Sequence, residues 1–271
     1  METMGKRIAE ARRRAGLTQL QVGDLLGVSF QAVSSWERDE FLPDTENLIK
    51  LSRALKVSVS SLADDSPYAF KTKERIFDEE HMKTFVKVTA KERDLVNTLE
   101  ALSFAASAHS KQKRKNSDVP YLYHPLNLAC HCLAMGIHDD AVIAACLLHD
   151  TIEDCGVKEE DLPVDKETRE MVRLLSHSKT EEDREKMLNA YYKGLASNPK
   201  AALIKCVDRC NNLTSMSWGL ARERQLRAIY ETEKYVLPLL EVVKKRPEYN
   251  DAAWLLRYQI ESMLDIYKRL L

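Results

Sequence analysis

Apolar residues recur at spacings of three and four along almost the whole of this 271-residue chain, and stretches that alternate apolar with polar residues, as a half-buried strand requires, are missing. Most of the eight glycines punctuate these segments. The fold class that follows is all-α. At this length two domains are expected, with hydrophobic residues at 44% supplying a substantial core to at least one of them. The periodicity stops once, in DDSPYAFKTKER at residues 64–75, where Pro67 follows an acidic pair. We therefore expect a small first domain over residues 1–66, a linker over 67–84 and a larger helical bundle over 85–271.

No segment is long and apolar enough to cross a bilayer, and the opening METMGKRIAEARRR lacks the apolar run of a secretory signal. The expected location is cytoplasmic. All six cysteines lie in the later part of the chain, mostly within apolar helical runs, which reads as reduced thiols packed in a core. Cys130/Cys132 and Cys206/Cys210 lack the paired spacing of a structural zinc site.

Local signals divide the first domain into five short helices. KRIAEARRRA ends at Gly16, Thr18 caps QLQVGDLL, Gly27 ends it, and Ser29 caps FQAVSSWER. ENLIKLSRALK and VSSLA complete a core expected to contain Ile8, Leu17, Val22, Leu26, Val33, Trp36, Leu48 and Leu51. Two short helices joined by the tight LGVS turn describe a helix-turn-helix. The residues G-L-T-Q, L-G-V-S, Q-A-V-S-S-W-E and L-P-D, with a later L-K-V-S-V-S-S-L, resemble the Xre/Cro-type DNA-binding domain of phage repressors. That resemblance implies that Gln19 contacts a phosphate and that the third helix enters the major groove. Phe30 and Gln31 would then read a thymine methyl and an adenine, with Ser34 at a phosphate. Nine cations against ten anions leave residues 1–66 at minus one. Phosphate neutralisation supplies most non-specific affinity, so such a domain needs a second copy to bind DNA well, and a homodimer is expected.

The second domain carries its chemistry in ACLLHDTIED. On a continuous helix His149 would stack under Glu153 and Asp150 under Asp154, so that all four could face one cavity. The preceding DDAVIAACLL would draw that helix into a core, and buried charge there needs a cation or a partner. Pro125 favours a first helical turn and so places His124 at a helix entrance. Asp208 sits in ALIKCVDRCNNL, with Asn212 one turn further on the same stripe. Two imidazoles and two carboxylates from three helices suit a borderline cation such as Mn²⁺, Fe²⁺ or Zn²⁺ with positions left open. Glu153 and Asp154 remain to steer the water that such an ion activates toward a phosphoester.

The order H…HD…D resembles the HD phosphohydrolase superfamily. AHSKQKRKNSDVPYLYHP, LLHDTIED and IKCVDRCNNL are more specific and look like the hydrolase domain of the RelA/SpoT alarmone enzymes, over about residues 95 to 220. What the resemblance implies is an HD-domain helical bundle that removes the 3′-pyrophosphate of ppGpp or pppGpp with Mn²⁺. His124, His149, Asp150 and Asp208 would be the metal ligands, and Glu153 and Asp154 the catalytic carboxylates. Asn212 would contact the nucleotide, and Arg114 or Lys115, in the basic run KQKRK, would hold its base or phosphates. The glycine common before P-Y in the family is replaced by a longer loop, and LPVDKETRE stands where relatives carry F-G. The chain thus reads as a metal-dependent nucleotide pyrophosphohydrolase fused to a DNA-binding domain. Two alternatives stand beside it: a nucleotide-sensing transcriptional regulator, and a phosphohydrolase of another nucleotide. The last segment, with Trp254, Leu255, Tyr258 and Leu264, reads as core or dimer interface.

Overall fold

The computed structural model of the protein describes residues 3–63, 78–114, 118–177, 184–216 and 221–271, and their regular structure is helical. Among these residues strand-like pairing is limited to an isolated bridge between Lys113 and Pro120. The chain divides into two compact units, residues 1–73 and 74–271.

The first unit holds α1 (Met4–Arg14), α2 (Gln19–Leu26), α3 (Phe30–Glu37), α4 (Thr45–Leu55) and α5 (Val59–Ala63). Thr18 and Gln21 form a reciprocal capping box at the start of α2, and Gly27 ends it in the left-handed region at φ 72°. Ser29 caps α3 and Asp44 caps α4 through their side-chain oxygens. Ile8, Val22, Leu26, Val33, Trp36, Leu51, Leu55 and Leu62 form the core, with Leu17 and Leu48 packed at its edge. One ion pair crosses this core. Arg12 reaches Glu37 with Nε to Oε1 at 2.5 Å and Nη2 to Oε2 at 2.9 Å, and its Nη1 donates to the Leu17 carbonyl at 2.9 Å. The pair pins α1 to the end of α3. The helices approach closely there: a Cβ on Gly5 would lie 2.4 Å from the Trp36 carbonyl oxygen, so α1 could not approach α3 as it does with a larger residue.

The second unit begins with α6 (Glu79–Glu92), capped by Asp78 and anchored by buried Met82 and Val86. Residues 79–84, expected within the linker, are helix, because the Asp78 cap starts α6 there and Met82 already anchors it in the core. The unit continues through α7 (Val96–Ala108), α8 (Tyr123–Ala134), α9 (Asp140–Leu148), α10 (Thr151–Cys155), α11 (Lys166–Leu175), α12 (Arg184–Ala196) and α13 (Pro199–Thr214). It closes with α14 (Arg222–Glu231), α15 (Leu237–Lys244) and α16 (Asn250–Leu270). A π turn at Thr232–Val236 joins α14 to α15 just ahead of Pro238, which has no N–H to continue the regular ladder.

Every residue of α9 from Ala141 to Leu148 is buried, and its small side chains let α7, α8, α11 and α13 close around it. Asp140 at its start bonds the backbone N–H groups of Asn97 and Thr98, at 2.9 and 2.8 Å, and so ties α9 to the first turn of α7. All six cysteines are free thiols, four of them buried. In α16 the core side is Ala252, Ala253, Leu256, Ile260 and Leu264, whereas Trp254 and Tyr258 stack on each other in solvent at 68% and 62% exposure. Those two aromatic residues are not core. Among the described residues no helix is long and apolar enough to cross a membrane.

Candidate metal centre and nucleotide cleft

The continuous helix expected through HDTIED is broken. α9 ends at Leu148, and α10 starts at Thr151. The ladder fails there because two side chains take its acceptors: His149 Nδ1 bonds the Cys146 carbonyl at 2.9 Å, and Thr151 Oγ1 donates to the Leu148 carbonyl at 2.7 Å. Asp150 is left at the corner. The break retains one backbone bond, from Asp154 N to Asp150 O at 2.8 Å, and all four polar side chains of the motif line a single cleft.

His149, His124 and Asp150 bring ligand atoms within 4.8 Å of one another. His124, in the first turn of α8, uses Nδ1 to bond Asn211 Oδ1 at 2.6 Å and points Nε2 at Asp208 Oδ1, 3.2 Å away. His149 Nε2 lies 2.9 Å from Asp150 Oδ2. Each ring thus spends Nδ1 on an outer oxygen acceptor, which fixes the tautomer that leaves Nε2 free to ligate. Buried His149 Nε2 faces the Asp150 carboxylate oxygen without the alignment of a regular hydrogen bond. Burial disfavours the charged form of His149, yet Asp150 and Asp208 outweigh it and lift the imidazole to about 9. Burial likewise opposes ionisation of the two acids. For Asp150 the opposing groups are His149 and His124, and for Asp208 they are Lys205 and His124, which hold both carboxyls well below the usual range. His124, His149 and Asp150 could hold a divalent cation once His149 gives up its proton, and Asp208 lies beside them, 3.2 Å from His124 Nε2.

The other expected site residues surround this cluster. Asp154 Oδ2 is 2.9 Å from the Tyr121 hydroxyl, and Glu153 Oε2 is 3.1 Å from His177 Nδ1. Arg114 lines the cleft and reaches Ser215 Oγ at 3.5 Å; Lys115 lies outside the described residues. Asn212 also lines it, donating to Asp208 Oδ1 at 2.6 Å. The cleft encloses about 240 Å³.

Four participants were not singled out from the sequence. Lys205 is largely buried one turn before Asp208 and donates to its Oδ2 at 2.9 Å, with a pKa raised because Asp208 outweighs the cost of burial. Its spacing of three from Asp208 on one helix was the available signal. Tyr121, His177 and Asn211 reach the site across the fold and carried none. Burial first, then Asp150 and Asp154, push the Tyr121 phenol well above its ordinary range, so it stays protonated.

In the first unit Phe30 and Gln31 are exposed at the start of α3, Phe30 by 47%. Gln19 is half-buried, with Nε2 donating to Glu37 Oε2 at 2.8 Å, and the Ser34 hydroxyl is engaged by Arg38. One amide hydrogen of Gln19 is thereby committed within the domain.

The helix-turn-helix family model matches residues 8–62, and the HD domain model matches residues 101–235. The chain is 35% identical over 128 residues to the guanosine-3′,5′-bis(diphosphate) 3′-pyrophosphohydrolase MESH1 of Xenopus tropicalis, covering 45% of this chain and 71% of that protein. It is 30% identical over 166 residues to the guanosine-3′,5′-bis(diphosphate) 3′-pyrophosphohydrolase of Aquifex aeolicus, covering 58% of this chain but 23% of that protein. A solved structure described as a metazoan ortholog of SpoT that hydrolyses ppGpp superposes with a TM-score of 0.52 at 23% identity, over 63% of this chain and 94% of that one.

Proposed function

Because this chain belongs to the HD-domain family that includes the MESH1-type guanosine-3′,5′-bis(diphosphate) 3′-pyrophosphohydrolases, with a helix-turn-helix domain ahead of it, we propose that it removes the 3′-pyrophosphate of ppGpp or pppGpp. The observation that carries this reading is the convergence of His124, His149, Asp150 and Asp208 beside Glu153 and Asp154 in one cleft. The four ligands would hold a divalent ion, Mn²⁺ in our reading, which acidifies a bound water and offsets charge on the phosphoryl oxygens. Glu153 and Asp154 orient that water and accept its proton. Arg114 and Lys115 hold the base or phosphates from the basic loop, and Asn212 contacts the nucleotide while steadying Asp208. The test is a panel of nucleotides offered to the Mn²⁺-loaded protein, with pyrophosphate release from ppGpp expected. Preferential turnover of an unrelated phosphoester would replace the substrate, and tight binding of ppGpp without turnover would make the domain a sensor.

The helix-turn-helix domain is proposed to act in transcription regulation by binding DNA through Gln19, Phe30, Gln31 and Ser34, and the protein to work in the cytoplasm, where six free thiols are at home. It is proposed to do so as a homodimer, the usual way for two such domains to meet two half-sites. The exposed stripe of α16, Trp254, Tyr258, Ile266 and Leu270, supports pairing with a second copy. Aromatic side chains cover about 150–250 Å² each when buried, so two such stripes approach the roughly 1,200 Å² at which stable interfaces begin. Charges beside the stripe are already paired within the chain, Arg257 with Glu241 and Glu261, and Arg269 with Asp265. Light scattering should therefore give twice the chain mass, and W254E/Y258E should give the single-chain mass with hydrolysis retained. A wild-type mass of one chain at micromolar concentration would reject the pairing.

A further inference from the structure

Tyr121 stands where the basic loop meets the ligand cluster, and none of the steps above uses it. Its hydroxyl is 2.7 Å from Asp150 Oδ2 and 2.9 Å from Asp154 Oδ2. The same Asp150 oxygen faces His149 Nε2 at 2.9 Å. One phenol oxygen thus joins a ligand carboxylate, at the helix break, to a carboxylate on α10 that is not a ligand. Two neighbouring carboxylates repel each other, and a hydroxyl lodged between them carries only one proton to offer.

The rest of the residue is immobilised. Tyr121 N bonds the Gln112 carbonyl and Arg114 N bonds the Val119 carbonyl, each at 2.9 Å, so residues 112–114 are tied to residues 119–121. The Tyr121 ring stacks on buried His109 with centroids 4.8 Å apart, and His109 Nδ1 lies 2.7 Å from Gln112 Oε1. Gln112 Nε2 then donates to the Asp154 carbonyl at 2.9 Å. The loop therefore grips Asp154 twice, by its main chain through Gln112 and by its side chain through Tyr121.

We infer that Tyr121 is a positioning residue: its hydroxyl sets the distance between Asp150 and Asp154, so that the proton-accepting carboxylate stays aimed beside the ligand cluster. The kinetic part of this inference rests on the proposed hydrolase reading. Tyr121→Phe removes the hydroxyl and keeps the stacked ring, so the protein should melt within a few degrees of wild type. At saturating Mn²⁺, kcat should fall about 10- to 100-fold, as when an outer-shell partner of a metal site is removed, with KM for ppGpp within about threefold. Calorimetric Mn²⁺ titration should show affinity weakened by about two- to tenfold, because Asp150 loses one of its anchors. An unchanged kcat, or a loss fully restored by more Mn²⁺, would show that the hydroxyl does not aim Asp154. If the wild type releases no pyrophosphate from ppGpp, the hydrolase reading fails separately. Tyr121 is then judged on the calorimetry alone, where unchanged Mn²⁺ affinity overturns the inference.

Discussion

Asp150→Ala is expected to abolish the proposed hydrolysis and to leave the protein folded. The residue sits at the corner between α9 and α10, where it supplies an oxygen 2.9 Å from His149 Nε2 and 3.8 Å from His124 Nε2. Without that oxygen the cluster loses a ligand, and His149 loses the nearer of the two acids that lift it to about 9. A metal ion in such a site contributes several kcal/mol to transition-state stabilisation. Each 1.36 kcal/mol is a tenfold change in rate, so the expected loss is about a thousandfold or more. The fold should survive because the His149 ring, left with Asp208 alone, can shed its proton and stay buried in neutral form. Asp208→Ala is a poorer probe, since it would strand Lys205 as an unpaired buried cation. Pyrophosphate release, Mn²⁺ calorimetry and a melting curve on one preparation check the result. Wild-type turnover by the purified variant would mean that the site is misplaced or that another enzyme is present.

The second large effect belongs to the first unit. Glu37→Ala leaves Arg12 without its partner, where the two side chains are only 7% and 13% exposed. Removing one partner of a buried pair costs about 3–5 kcal/mol, which rivals the whole stability of a small domain at about 5–15 kcal/mol. Calorimetry of the full chain should show the first unit's transition lowered steeply or lost, with the second unit and its hydrolysis intact. A first transition within a few degrees of wild type would show that the pair contributes little. Burial alone would raise the Glu37 carboxyl, but its bonds from Arg12 and Gln19 outweigh burial and hold it below the ordinary value. A lowered carboxyl stabilises the fold fully above its unfolded value of about 4.3 and loses that contribution as pH falls through the folded value. The first unit should therefore lose stability in acid in wild type, and Glu37→Ala should remove much of that loss.

What could be read from the sequence tracks how local each cause is. Thr18, Ser29 and Gly27 act on backbone groups a few residues away, so the helices of the first unit were legible from them. The break after His149 was not, because it arises from two side chains taking carbonyls that a periodicity count assumes are in the ladder. Tyr121, His177 and Asn211 were missed for another reason. Their partners Asp150, Glu153 and His124 lie far along the chain, and only the packing of α8, α10, α11 and α13 brings them within reach. In α16 two apolar stripes run at a spacing of four, one through Leu256, Ile260 and Leu264 and the other through Trp254 and Tyr258. Pattern alone does not say which one the core takes.

The charge lining the cleft imposes an order of arrival. Asp150, Glu153, Asp154 and Asp208 face Arg114, Lys205 and the protonated His149 ring, which leaves the described walls one charge negative. A guanosine polyphosphate meeting those walls unaided is repelled, whereas a divalent ion is drawn in and cancels the excess. On the proposed reaction the protein therefore admits its ion before its nucleotide, and initial rates measured against both should follow a compulsory sequence of addition; a random-order pattern would contradict it.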